Sequence, residues 1–292
     1  MTNTFFKYLQ FEKRLSKNTL SAYQIDITQF ASFLKETFEI DDLALANHSM
    51  IRSWIVGLTD DGVLPISVNR KVAALRALYK FMQAQGAVTA NPTYKITVLK
   101  AAKRLPSFVR EQEVDLMLAG SPFIDNFEGV RDKLIIELFY GTGMRLSELL
   151  ALKDHSFNMR EQTVKVLGKR NKERVIPFNK VLIPYINNYL SKRRELHPSS
   201  LEDRFFVSTS GGPCYPMQIY RMVKRYMSAT SSERKSPHIL RHTYATHLLD
   251  RGAEINAVKD LLGHSSLSAT QVYTHNSMEK IKKVFNQAHP KA

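Results

Sequence analysis

The stretch HILRHTYATHLLDRG (238–252) decides how the larger part of this 292-residue chain is read. It falls in a helix expected over about 237–251, and His238 stands three residues before Arg241, so one side of that helix presents both. An imidazole with an ordinary pKa of about 6.5 suits a general base. An arginine, always charged and with forked donors, suits the oxygens of a phosphate. His238, His242 and His247, at spacings of four and five, superficially resemble zinc ligands. No HExxH is present, the lone Cys214 is distant in sequence, and Arg241 adjoins His242, where its charge would repel a metal ion. No metal site is expected.

Three further segments carry concentrated polar chemistry: GTGMRLSELL (141–150), LGKRNKERVIPF (167–178) and LLGHSSLSATQVYTH (261–275). In the first, Glu148 follows Arg145 by three residues and would share its helix face, placed to orient the guanidinium. Around the second, two β-branched runs, Thr163–Leu167 and Arg174–Phe178, bracket GKRNKE and read as a β-hairpin with a long basic loop. The third holds His264 and, nine residues later, Tyr273.

Charge points to the partner. Lys and Arg number 42 against 27 Asp and Glu, a net charge of +15, with +4 in residues 1–100 and +11 in 101–292. Such an excess attracts polyanions, nucleic acid above all, through counterion release. No apolar run approaches the roughly 18–20 residues needed to span a bilayer. The N-terminus MTNTFFKYLQFEKRL lacks the pattern of a secretory signal, and a single cysteine suits a reducing compartment. A cytoplasmic protein with no membrane contact is expected.

Residues 1–100 read as all-helical. Leu20, Tyr23, Ile27, Phe30, Phe33 and Leu34 form one apolar stripe; Trp54, Ile55 and Leu58 mark a helix near 48–58; Val68, Val72, Leu75, Leu78, Tyr79 and Met82 mark another over about 66–84. A short helix around Thr4–Leu15 completes a bundle. KAAKRLPSF (100–108), basic and without periodicity, reads as part of a linker over 101–110. From residue 111 to 292 a second domain is expected, with helices near 111–119, 128–140, from 145, 179–196, 216–228, 237–251, 255–262 and 267–275. A tail helix, MEKIKKVFNQA (278–288), ends it.

The four polar segments, in this order, closely resemble the tyrosine recombinase (phage integrase-like) family, and in size and layout its Xer branch. The resemblance implies a mainly α fold: an N-terminal SAM-like helical core-binding domain, then an α+β catalytic domain with a small antiparallel sheet. It implies site-specific recombination of double-stranded DNA through a 3′-phosphotyrosyl intermediate and a Holliday junction. Tyr273 matches the nucleophile, Arg145 and Arg241 the phosphate clamps, His238 the general base and His264 the second active-site histidine. Glu148 and His242 are supporting residues. Lys169 matches the general acid, although Arg170 stands where the family often has glycine, which leaves Arg170 and Lys172 as alternatives.

The clamp arginines would do the work that magnesium does in nucleases, so no cofactor is implied. Four protomers would act on two duplexes, as one species or with a paralogous recombinase, and the tail would dock on a neighbour or pack on its own domain. The biological task is chromosome-dimer resolution or mobile-element integration and excision, and the lack of a recognisable arm-binding segment favours the first. Two rivals stand beside this reading: a type IB topoisomerase-like relaxase, and a DNA-binding relative that lost activity.

Overall fold

The computed structural model of the chain describes residues 1–101, 107–119, 123–168, 173–198 and 203–263, and in the tail 282, 284, 285 and 287–289. Lys169, His264, Tyr273 and the helix expected at 267–275 lie outside the described residues. The chain divides into two compact units, Met1–Arg104 and Leu105–Ala292.

In the first unit α1 (Thr2–Lys7) runs on into a wider π turn over Tyr8–Glu12, where a regular helix to Leu15 was expected. Lys13 N–H donates to Tyr8 O and Leu15 N–H to Leu9 O, and Arg14, at φ +48°, turns the chain out of the helix. The next helix, α2 (Lys17–Phe38), starts where the Ser16 hydroxyl accepts from Thr19 N–H at 3.3 Å. Asn47 caps α3 (His48–Asp60) in the same way, and Pro65 opens α4 (Pro65–Ala84), where a missing N–H costs nothing. The apolar stripes meet: Ile27, Phe30 and Leu34 of α2 pack with Ile51 and Trp54 of α3 and Val68, Val72 and Leu75 of α4. The Phe30 and Trp54 rings lie 5.0 Å apart. Asp26 is wholly buried and paired with Arg70 and with Lys71 (3.1 Å), so a charge clasp joins α2 to α4 inside an apolar contact.

The second unit begins with α5 (Glu111–Ala119) and α6 (Phe127–Thr142). The latter is capped by Asn126, whose side-chain oxygen accepts from Gly129 N–H at 2.8 Å. Leu134, Ile135, Ile136, Leu138, Phe139 and Tyr140 are all fully buried, so α6 is buried around nearly its whole circumference rather than along one stripe. A single turn, α7 (Leu146–Leu150), follows. Next come β1 (Phe157–Asn158), β2 (Thr163–Leu167) and β3 (Glu173–Pro177), an antiparallel sheet in that order. β1 was not anticipated, because two residues are too short to show a period. β3 begins one residue earlier than expected, with Lys165 opposite Val175 and Val166 opposite Arg174.

Four helices complete the described unit: α8 (Leu182–Leu196), α9 (Pro216–Tyr226), α10 (Pro237–Asp250) and α11 (Ile255–Leu262). α8 starts three residues later than expected, after a turn at Asn179–Lys180. α6 packs against both α8 and α10. In the tail, Ala288 joins Tyr244, Leu248, Val258, Leu261 and Leu262 in an apolar cluster, and His289 Nε2 lies 3.1 Å from Gly141 O. The described tail residues thus pack on their own unit. No described helix is long and apolar enough to cross a membrane.

Candidate active site

The site grows from the end of α6. Gly143 closes that helix in the left-handed region, at φ +59°, and a Cβ there would meet Tyr244 Cδ1 at 2.4 Å. Only glycine fits. Two residues on, Arg145 precedes α7, and the Glu148 carboxylate reaches back to accept its backbone N–H at 2.6 Å. The same carboxylate pairs with Arg145 Nη1 at 2.8 Å. Glu148 therefore caps the helix and holds the guanidinium with one group.

Arg241 arrives from α10. Its Nη1 donates to Gly143 O and its Nη2 to Leu262 O (2.6 Å), so it ties the end of α6 to the end of α11. Arg145 Nη2 donates to Gly263 O at 3.2 Å. Two arginines distant in sequence thus converge on adjacent carbonyls at the C-terminus of α11, the negative end of a helix dipole.

A third arginine stands with them, one that reading the sequence did not select. Arg174 of β3 donates from Nη2 to Glu148 Oε2 at 2.9 Å and from Nη1 to Leu262 O at 2.7 Å. The signal was in the strand period: Arg174 shares parity with Ile176, and both are buried. A cation at an inward strand position needs a partner, and Glu148, only 1% exposed, is that partner.

Two guanidiniums therefore pair with one buried carboxylate, and the third, Arg241, lies close enough to feel all three charges. Burial, and after it the charges of Arg145 and Arg174, press the Arg241 guanidinium down to about 10, with Glu148 acting the other way. It stays cationic at neutral pH. The Arg145 side chain is 31% exposed, so the cluster is open to solvent on that side. Excess positive charge beside an opening is a receptor for an anion, and paired forked donors match two oxygens of a phosphate diester.

His238, on the first turn of α10, and His242, one turn later, are both exposed and stand outside this hydrogen-bonded cluster. His247, the third histidine of the zinc-like spacing, is buried with Nδ1 3.0 Å from the Tyr140 hydroxyl. Lys169, His264 and Tyr273 lie outside the described residues, though His264 directly follows Gly263 in the chain. Tyr79, Tyr140, Tyr189 and Tyr244 are fully buried, and burial pushes each phenol up, away from nucleophilic use.

A helical SAM-like unit followed by a mainly helical unit with a small sheet and an arginine cage defines a class of DNA strand-transfer protein. The phage integrase family model matches residues 107–280, and the model of the phage integrase N-terminal SAM-like domain matches 2–86. Tyrosine recombinase XerC of Chlorobaculum parvum is 34% identical over 99% of this chain and 94% of its own length. Tyrosine recombinase XerD of Staphylococcus saprophyticus is 35% identical over 99% and 98%. Among solved structures, the XerH recombinase in a post-cleavage complex with palindromic difH substrate superposes with a TM-score of 0.71, at 22% identity, over 90% of this chain and 78% of that one. The Tn1549 transposon integrase with circular-intermediate DNA gives 0.69, at 18% identity, over 94% and 96%. The chain belongs to the phage integrase family of tyrosine recombinases, on its Xer-like branch. It is a tyrosine-type site-specific recombinase, and the relaxase and inactive-relative readings are not favoured.

Proposed function

We propose that the chain recombines double-stranded DNA at a specific site by the attack of Tyr273 on a scissile phosphate seated against Arg145 and Arg241. The observation that carries this reading is the cage itself: Arg145 and Arg174 paired with one carboxylate, and Arg241 beside them, pressed down by burial and then by its two arginine neighbours. An incoming phosphate diester relieves that repulsion, most strongly when negative charge builds on its oxygens in the transition state. His238, exposed at the head of α10, takes the phenolic proton. The Tyr273 oxygen forms a bond to phosphorus as the bond to the 5′-oxygen breaks, and Lys169 protonates that leaving oxygen. His264 bonds the phosphate, and Glu148 and His242 orient their neighbours. A 5′-hydroxyl from the partner duplex reverses the step, so the phosphoester is conserved and no external energy source is needed.

Recombination between two duplexes calls for four protomers in cyclic order. We place the chain in such a tetramer, as a single species or with a paralogue. In it, the surface around Tyr244, Leu248 and Leu262 that holds Ala288 here receives a neighbour's tail. The nearly full-length match to XerC and XerD relatives favours an Xer-like task. The single cysteine, Cys214, suits action in the reducing cytoplasm. The test is covalent trapping on a nicked duplex that loses its short 5′-hydroxyl strand after cleavage. Wild-type chain accumulates a protein–DNA adduct, and Tyr273→Phe binds the site yet forms none. Adduct at wild-type level with Tyr273→Phe overturns the nucleophile.

A further inference from the structure

We infer that Arg174 is a positioning residue of strand exchange: it locks the C-terminal end of α11, at Leu262 and Gly263, to Glu148 behind the two phosphate clamps. This rests on the clamp reading above and adds a member that acts through backbone rather than on the phosphate.

Three observations converge. Arg174 faces inward from β3, opposite Val166, and its side chain is 6% exposed where that of Arg145 is 31%. The guanidinium is thus set back from the open side of the cage. Two of its bonds, to Glu148 Oε2 at 2.9 Å and to Leu262 O at 2.7 Å, span the carboxylate that caps α7 and the last carbonyl of α11. The third observation is the turn itself. Gly263 leaves α11 at φ +62°, and a Cβ there would meet Arg174 Nη1 at 2.5 Å and Cδ at 2.9 Å. The arginine lies directly against the glycine backbone, and neither can change without moving the other.

The consequence is geometric. Leu262 O accepts from Arg174 and from Arg241 together, while Gly263 O accepts from Arg145. The end of α11 is therefore the shared footing of both clamps and the point from which the chain continues into His264. Without the Arg174 anchor that footing loses its tie to β3 and to Glu148. Displacing reacting groups by about 1 Å costs on the order of 100-fold in rate.

The test compares Arg174→Gln, Arg174→Lys, Gly263→Ala and Arg241→Ala on nicked duplexes carrying either an ordinary phosphate or an uncharged methylphosphonate at the scissile position. Arg174→Gln should cleave roughly 10- to 100-fold more slowly at saturating DNA, with duplex affinity within about threefold of wild type, since one buried contact among many phosphate contacts is changed. Arg174→Lys, which keeps the charge beside Glu148 but cannot span to Leu262 O as well, should fall between. Gly263→Ala keeps the arginine in the chain but drives its guanidinium off the turn, and should reproduce the slow cleavage, which separates the lock from a simple failure of the Gln variant to fold. Methylphosphonate should relieve the Arg241→Ala defect and leave the Arg174→Gln defect unchanged. Equal relief for both would make Arg174 a phosphate clamp and overturn the inference, as would wild-type cleavage rates in both Arg174→Gln and Gly263→Ala. If wild-type chain itself forms no adduct, the reading beneath has failed rather than the lock.

Discussion

Arg174 Nη2 lies 2.9 Å from Glu148 Oε2, which joins an inward position of the small sheet to the helix that the first clamp arginine precedes. Glu148 thereby pairs with two arginines at once, and its neutralisation removes the negative charge that both share at this point. Glu148→Gln is expected to cost about 3 kcal/mol and to lower Tm by roughly 6–12 °C for a unit of this size. Sulfate, compared with chloride at matched ionic strength, should restore more of that loss in the variant than it adds to wild type. Thermal scans in the two salts decide it, and an unchanged Tm contradicts the hub.

Arg145 is the most exposed member of the cage and the natural first contact for an entering phosphate. Arg145→Ala should reduce the single-turnover cleavage rate by about 100- to 1000-fold, the usual effect of deleting one transition-state donor. Duplex affinity should shift little, because the remaining basic surface supplies most of the binding. A gel-shift titration beside a cleavage time course distinguishes this from a general loss of DNA binding.

Gly143 holds φ +59°, and a side chain there would strike Tyr244, itself fully buried. Left-handed backbone costs a non-glycine residue about 1–2 kcal/mol before any clash. Gly143→Ala should therefore lose more than about 2 kcal/mol in urea unfolding, and cleavage should suffer too, since Gly143 O is an acceptor for Arg241. A variant as stable as wild type would show that this turn is not as tight as described.

His247 gives the second unit a pH dependence of known sign. Burial, its main cause, pushes the imidazole below its ordinary 6.5, while Glu111, Val109 O and Asp250 act the other way and Arg251 adds to the lowering. As pH falls through about 6.5 the unfolded chain takes up a proton before the folded one does. Stability is then full above that pH and is lost below it, by up to about 1.4 kcal/mol per pH unit while the folded ring stays neutral. Tm measured from pH 7.5 to 5.5 should fall less steeply in His247→Gln than in wild type. Identical slopes would assign the acid sensitivity elsewhere.

The elements that reading the sequence placed well are those with a half-exposed periodicity. α2 and α4 each show one apolar face because each has one face in water. α6, buried almost all round, was placed to within two residues without that contrast, while β1 is too short to alternate. Asp26 looks like an ordinary polar position in α2, and nothing local reveals partners 44 and 45 residues away at Arg70 and Lys71. In the site, Arg145, Glu148 and Arg241 were legible because motif order singles them out, and the structure brings those three together. Arg174 was legible in principle from its parity with Ile176, but a loop rich in cations next to it drew attention to Lys169 instead. The roles of Gly143 and Gly263 needed backbone angles, which no residue pattern supplies.

The most direct measurement is to digest the trapped protein–DNA adduct and identify by mass spectrometry the residue that carries the nucleotide. The result predicted is a phosphodiester on the Tyr273 oxygen, joined to the 3′ side of the cut and abolished with Arg241→Ala. Attachment at any of the other eleven tyrosines, to a serine, or to the 5′ side of the cut would contradict it.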